Sequence, residues 1–576
     1  MTPLRTRFAA ALATFAGLVA GGFEAHVVPA ATGAFWHGLT GGPSPAGLAF
    51  AGVAGLSVFA LGGRADVRPL LLMSLGLGPL VPAITGQGVF LLAFSGWTMG
   101  LIFAMAMAMT AAVAARPLLA APLPFTPFRA FFVSFVFFVL VGFEIPGAAG
   151  PQGDEPHYLL IAESLLRDGD VDLRNQFDEK AYLKFTPATL EPHTAPRSPA
   201  GTLYAIHTPG LSAVVAPGYA LAGYAGARAV VSAVLALSVA LLFSAARRVL
   251  SHEAATFAFL SLTFGTPLPV YANALFPDPV AGLAVAATLA FAAAPSGAGL
   301  ALSAAAIAWL PWLHPRFLPV AGALALVVLV APAHRAKERR HRALAVGLPL
   351  ILATILLLLH FKTLFGSASL SAAYGPGFAR DVTAANMPGG ALALLVDRQF
   401  GLLLLAPLLL VGAFAAWPLR DVSPSLFTGA MLPPLLFLAV GGAFSMWWGG
   451  ASPPARFLMG GVPALGFLCA VAWRNAERQP ALRGLLAALS GFGVGLLALA
   501  CLAPRALHNR ADGESGLLRL LAPTLDLDRF FAGFVSGPPA FIAATGWLGA
   551  IAVVARRPRA GALALALAGA ISAATG

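Results

Sequence analysis

Apolar runs of roughly 16 to 23 residues recur along the chain between short polar or Gly/Pro-rich breaks, and each is as long as a helix needs to cross ~30 Å of hydrocarbon. A segment inside a bilayer must satisfy its own backbone polar groups, which restricts it to a helix or a closed barrel. The runs are continuously apolar and rich in Ala and Leu rather than alternating, so strands are disfavoured. Of 576 residues, 59% are apolar and only 10% charged, with a mean hydropathy of +0.84, whereas a soluble chain carries about 25% charged residues. The expected fold is all-α: a polytopic transmembrane helical bundle of about 17 spans, with extracytoplasmic loops and interfacial helices.

The net charge of +12 points to no nucleic acid, because the basic residues cluster in short loops between apolar runs, the pattern of positive-inside orientation. Arg5 and Arg7, Arg64 and Arg68, and Arg116 and Arg129 mark inner loops around the first four spans, the third and fourth separated by ITGQG. The first span is expected to run to about Val28 and to be retained; a signal cleaved near Ala30 or Ala31 is the alternative. The run from Phe128 then crosses outward, so GDEPHYLL (Gly153 to Leu160) emerges outside.

The segment TPGLSAVVAPGYALAGYAG is read as a re-entrant or interfacial helix rather than a full span. Arg228 then stays outside, while Arg247/Arg248, the run His334 to Arg342, Arg420, Arg474 to Arg483 and Arg556 to Arg559 fall inside. The division expected is residues 1–127 as additional N-terminal transmembrane helices and 128–576 as the main membrane domain, with a first outer loop over 147–227. The location implied is the plasma (inner) membrane, multi-pass, with the functional site extracytoplasmic. Cys469 and Cys501 lie in apolar runs and suggest neither a disulfide nor a thiolate metal site.

Chemistry is expected in the outer loops. Asp154 and Glu155 follow a span and open the segment EPHYLLIAESLLRDGD, read as an amphipathic helix at the membrane surface, with Asp154 near its N-cap, Pro156 in its first turn and an end at Gly169. A partly desolvated carboxylate there can take a proton from a hydroxyl; the alternative is that both acids merely solvate a loop. Arg316 in WLPWLHPRFLP and Arg456 in WWGGASPPARFLMGG stand where the chain re-enters the membrane. There an arginine needs a partner, and a phosphate suits its fork; simple snorkelling is the competing reading.

His207, His314 and Lys362 are further candidates for phosphate contact, Arg228 and His157 for support, and Asp278 in LFPDPVAG for pairing with an arginine, aligning a substrate or capping a loop. No cofactor is required by the pattern. A divalent metal held among His157, His193, His207 and His314 with Glu191 is left open, since their spacing is not diagnostic. No GxxxxGK[ST], HExxH or GxSxG in context is present, so ATP-driven transport, zinc proteolysis and serine hydrolysis lack support.

The ordered combination of the DE loop (Asp154-Glu155 in GDEPHY), the segment HTPGLSAVVAPGYALAG, Arg228 opening the next span, and FPDP resembles polytopic membrane glycosyltransferases of the GT-C class, which include protein O-mannosyltransferases and lipid A aminoarabinose transferases. The likeness runs from about Phe128 onward. It implies sugar transfer with inversion, from a polyprenyl-phosphate donor to a glycan, lipid or protein acceptor, at the outer face of the bilayer. Asp154 would be the general base, with Glu155 a second candidate acid, and basic residues would hold the departing phosphate. One departure stands out: relatives often have Lys-Pro-Pro-Leu where this chain has His207-Thr208-Pro209-Gly210-Leu211. A transporter or flippase of lipid-linked saccharides, which needs a polar path through the spans, and a noncatalytic scaffold are the competing classes.

Overall fold

The computed structural model describes residues 3–20, 23–29, 35–41, 48, 51–55, 69–70, 73, 75 and 97–114, and from 125 to 575 all except 145–149, 188, 196–197, 332–335, 376–377, 524 and 536–539. Arg64, Arg68, Arg116 and the ITGQG break lie outside the described residues.

The chain is a polytopic α-helical membrane protein. Among the described residues six helices are long and apolar enough to cross a membrane, and eight shorter apolar helices accompany them. The expected first span ends early: the helix Pro3–Ala20 is followed by antiparallel strands Phe23–Pro29 and Phe35–Gly41, with Val28 opposite Trp36. The reason is local. From Phe23 the sequence alternates Phe-Glu-Ala-His-Val, a two-residue period that suits a strand and not a helix.

Helix Gly210–Val249 is broken at Ala222 and Gly223, the latter at φ +56° and ψ −140°, a conformation open in practice only to glycine. Its two arms approach backbone to backbone, since a Cβ on Gly226 would stand 2.0 Å from the Gly218 carbonyl oxygen. The TPGL arm is therefore a separate element from the span that carries Arg228.

Contacts between loops sort them into two ends. At one end Glu253 accepts from Trp473 Nε1 at 3.2 Å and pairs with Arg483, and Asn475 donates to the Ala415 carbonyl. The basic turns around Arg247, Arg420 and Arg474 share that end. At the other end meet Asp154, the start of helix Pro277–Ala293, the turn His314–Phe317 between helices Gly297–Leu313 and Leu318–Val330, and the Gly449–Arg456 loop.

The helix over Glu155–Arg167 corrects one expectation. Rather than resting an apolar face on lipid, it is covered by protein, with Glu155 through Ser164 all buried. Tyr158 and Leu159 pack in the main core, while Leu160 and Ile161 pack against Leu173, Tyr182 and Ala205 of the following loop. Ser212 Oγ donates to the Tyr158 carbonyl and Tyr219 Oη to Glu163, both at 2.8 Å, which pins the helix to the TPGL arm. It ends as read, with Gly169 at φ +74° donating to the Ser164 carbonyl.

Candidate functional site

A chain of alternating charges lies where these helix ends meet. Asp154 Oδ2 accepts from Arg456 Nη2 at 2.7 Å; Arg456 Nε lies 3.4 Å from Asp278 Oδ2; and the other Asp278 oxygen pairs with Arg316. Asp278, in the first turn of its helix, is fully buried. Such charges are tolerated away from water only when each has a partner. Arg456 also donates to the Gly449 carbonyl at 2.7 Å and stacks 3.9 Å over the Phe276 ring, and Arg316 lies 4.1 Å over Phe457. These rings hold the guanidiniums on planar faces while their edges bond to the carboxylates.

Asp154 sits at the N-cap position, yet its side chain makes no capping bond. One oxygen is taken by Arg456; the other, Oδ1, faces His207 Nε2 at 3.9 Å and His193 Nδ1 at 4.0 Å. Burial works to raise its carboxyl pKa, but the Arg456 guanidinium together with the facing His207 and His193 outweighs this and holds it below the usual carboxylate range. Asp154 is thus ionised throughout the physiological range.

Glu155 is placed differently. Its two oxygens accept the backbone N–H groups of Gln152 at 2.8 Å and Leu275 at 2.6 Å, and it is buried. Burial pushes its pKa up to about 7 against the pull of those bonds and of Arg228. The arrangement makes Glu155 a strut between the start of its helix and the Pro277–Ala293 approach, with each oxygen already bonded to a backbone N–H.

The imidazoles form a second group. His157 stacks on His193 at 4.1 Å, and the His207 ring lies 4.8 Å from Tyr158. Burial lowers the pKa of His157 to about 3 and that of His207 to about 4, the latter despite the neighbouring Asp154. His207 is therefore neutral at neutral pH and supplies no positive charge where a lysine would have. His314 has both nitrogens engaged: Nδ1 accepts the Arg316 N–H at 3.2 Å and Nε2 meets Tyr374 Oη at 2.9 Å. Burial, with Arg316 close by, holds it well below the usual histidine range, and its two bonds brace the arginine turn.

Arg228 donates to the Gly142 carbonyl and lies 5.2 Å over the Tyr224 ring. A Cβ at Gly142 would collide with both Arg228 and Asn273, so glycine there lets the two polar side chains reach the helix Pro127–Glu144. Lys362 is exposed on helix Ala336–Phe365 and stands outside the charge chain. His193, offered by the sequence only within the possible histidine–Glu191 metal set, faces Asp154. Away from this cluster, a cavity of about 680 Å³ is lined by Arg398, Arg519 and Arg529 with Asp526 and Asp528.

Fold and site together define a multi-spanning membrane protein with a partly buried carboxylate–guanidinium chain at one end of its bundle. The chain is similar to the crystal structure of ArnT from Cupriavidus metallidurans bound to undecaprenyl phosphate, at 17% identity over 77% of this chain and 76% of that one, with a TM-score of 0.41. The apo form of the same protein gives 17% identity over 77% and 75%, with a TM-score of 0.39. No protein-family model and no curated protein matches the chain.

Proposed function

We propose that the protein is an integral membrane glycosyltransferase of the GT-C class. In this reading it moves a sugar from a polyprenyl-phosphate donor to an acceptor hydroxyl at the extracytoplasmic face. The observation that carries the reading is the ordered chain Asp154–Arg456–Asp278–Arg316 at helix ends opposite the basic turns. The positive-inside pattern favours those basic turns on the cytoplasmic side and the charge chain on the other.

Asp154 Oδ1 accepts the hydroxyl proton as the acceptor oxygen attacks the anomeric carbon and the donor's carbon–oxygen bond to phosphate breaks. A carboxylate held this far ionised is a weak base, so the transfer is late, after the attacking oxygen has become acidic. Inversion fits a site with a single carboxylate oxygen free: Glu155 and Asp278 have theirs engaged, so no second acid stands ready to form a covalent glycosyl intermediate. Arg316 and Arg456 are the side chains available to meet the leaving phosphate.

The test is glycan and glycolipid mass spectrometry of a strain lacking the gene, complemented with wild type or Asp154→Asn. The expected result is a glycan lost on deletion, restored by wild type and not by the variant at equal expression. Full restoration by Asp154→Asn would remove the general-base assignment.

A further inference from the structure

The chain Asp154–Arg456–Asp278–Arg316 closes its charges on one another, and they sum to zero. A second set of charges is not closed in this way. It lines the cavity of about 680 Å³, a volume within the range of about 300–1,000 Å³ that small-molecule sites occupy. Glu514 and Arg519 of that lining pair with each other. Arg398, Arg529, Asp526 and Asp528 remain, balanced in sign, and among the described residues none of them is in an ion pair. Arg398 Nη1 donates to the Asp528 carbonyl at 3.3 Å, while Nε is buried with no hydrogen-bond partner. A Cβ on Gly533 would lie 3.1 Å from the guanidinium carbon, so glycine there lets Arg398 lie close against the backbone. The guanidinium is under-bonded for a part-buried charge, a cost that an anion on its open edge offsets.

Position in the fold indicates what meets these charges. The cavity reaches Ala540 and Ala543 at the start of helix Phe541–Arg556, and Ser572 and Thr575 at the end of helix Gly561–Thr575. The turn joining these apolar helices carries Arg557 and Arg559, so the cavity lies at their other end. That end is the one holding Asp154, since Arg398 N–H donates to the Ala532 carbonyl and the Phe400 carbonyl accepts from Ala455, next to Arg456. Phe541 and Ile542, in the first turn beside the cavity, are exposed, and on a membrane helix such side chains meet lipid. We propose that the cavity binds the headgroup of a zwitterionic phospholipid of the phosphoethanolamine class, its acyl chains lying along these two helices. Phosphate oxygens accept from Arg398 and Arg529, aided by the positive end of helix Phe541–Arg556, whose N-cap Ala540 has no side-chain oxygen to close it. The ammonium donates to Asp526 and Asp528. A plain anion would meet the two acids as well as the arginines, and a quaternary ammonium has no N–H for a carboxylate and prefers an aromatic cage. The site rests on the cavity and not on the transferase reading.

The test is native mass spectrometry of the delipidated full-length protein in detergent, titrated in turn with phosphatidylethanolamine, phosphatidylcholine and phosphatidylglycerol of matched acyl chains. Wild type is expected to bind one phosphatidylethanolamine at least about fivefold more tightly than either other lipid. Arg398→Gln and Arg529→Gln should weaken phosphatidylethanolamine by at least about tenfold. Asp526→Asn should weaken phosphatidylethanolamine while leaving phosphatidylglycerol unchanged or tighter, which removes the preference. Arg529 and Asp526 are exposed, so their replacement leaves the fold intact even where that of Arg398 does not. Arg559→Gln, at the opposite end of the helix pair, should bind as wild type does. Equal affinity for the three lipids, tighter binding of phosphatidylglycerol by wild type, or a loss in Arg559→Gln as large as in Arg529→Gln would overturn the proposal. Because the signal is lipid on the protein, it is read separately from sugar transfer.

Discussion

Asp278 is the position where the charge chain is most open to a quantitative test. Its side chain is fully buried and bonds to Arg316 on one oxygen and to Arg456 on the other. Replacing it with Asn removes the charge and keeps the shape. Arg456 retains Asp154, at 2.7 Å, and the Gly449 carbonyl. The amide keeps one acceptor oxygen but turns N–H groups toward the other arginine, so Arg316 loses its charged partner and keeps the faces of Phe317 and Phe457, contacts worth about 0.5–2 kcal/mol.

Removing one partner of a buried pair costs about 3–5 kcal/mol. Because the Arg316 side chain is 18% exposed, the lower end applies, about 3 kcal/mol for Asp278→Asn. Arg316→Met, which removes the charge from the other side, restores part of that loss when combined with it. The coupling expected from the cycle of Asp278→Asn, Arg316→Met and the double variant is about 2 kcal/mol. Equilibrium unfolding in mixed micelles with increasing SDS fraction, followed by tryptophan fluorescence, reads all four proteins. If the two single losses add to within about 0.5 kcal/mol, the sites are independent and the paired-charge account is refuted.

Other outcomes follow from the same contacts. Glu155 has a folded-state pKa raised to about 7 from 4.5, so the folded chain binds more protons than the unfolded one between those values, and stability falls as pH rises through that window. Glu155→Gln should flatten this part of the pH–stability curve, and an unchanged slope would show that Glu155 does not set it. Gly226→Ala places a Cβ 2.0 Å from a backbone oxygen and should destabilise by more than about 2 kcal/mol, whereas Gly322→Ala, with nothing within 4 Å, should be neutral or better; equal melting temperatures would count against the close approach of the two arms. In a transfer assay Arg456→Ala should abolish activity and Arg456→Lys keep a small part, because a lysine cannot bond two carboxylates and a carbonyl from one planar fork; full activity in Arg456→Lys would argue against the fork.

Much of this was legible in the sequence because bilayer and charge leave strong marks. The alternation of Arg-bearing turns with Pro- and aromatic-rich ones sorted the loops into two ends, and an acid between prolines, Asp278, signalled a charge at a re-entry point. What stayed hidden depends on packing. Hydropathy cannot tell a helix facing lipid from one facing protein, since both environments are apolar. The 18-residue window in Arg456–Arg478, at hydropathy 1.5, is fully buried, while that in Lys337–Phe365, at 2.5, is only 17% buried. Likewise nothing local marks Glu155 as tied to Leu275, 120 positions away, or His193 as folding back to Asp154. The strand pair after Ala20 was legible in the Phe-Glu-Ala-His-Val alternation, but the apolar content of the N-terminal run masked it.

The zero sum of the four linked charges has an electrical consequence. A charge moved through the membrane field exchanges about 2.3 kcal/mol per 100 mV, and a cluster with no net charge exchanges almost nothing, whatever depth it occupies. The charge chain as a unit then contributes little to any response of the fold to membrane voltage. A voltage dependence at this site would come from the steps that unbalance it, such as the arrival of an anion and its departure.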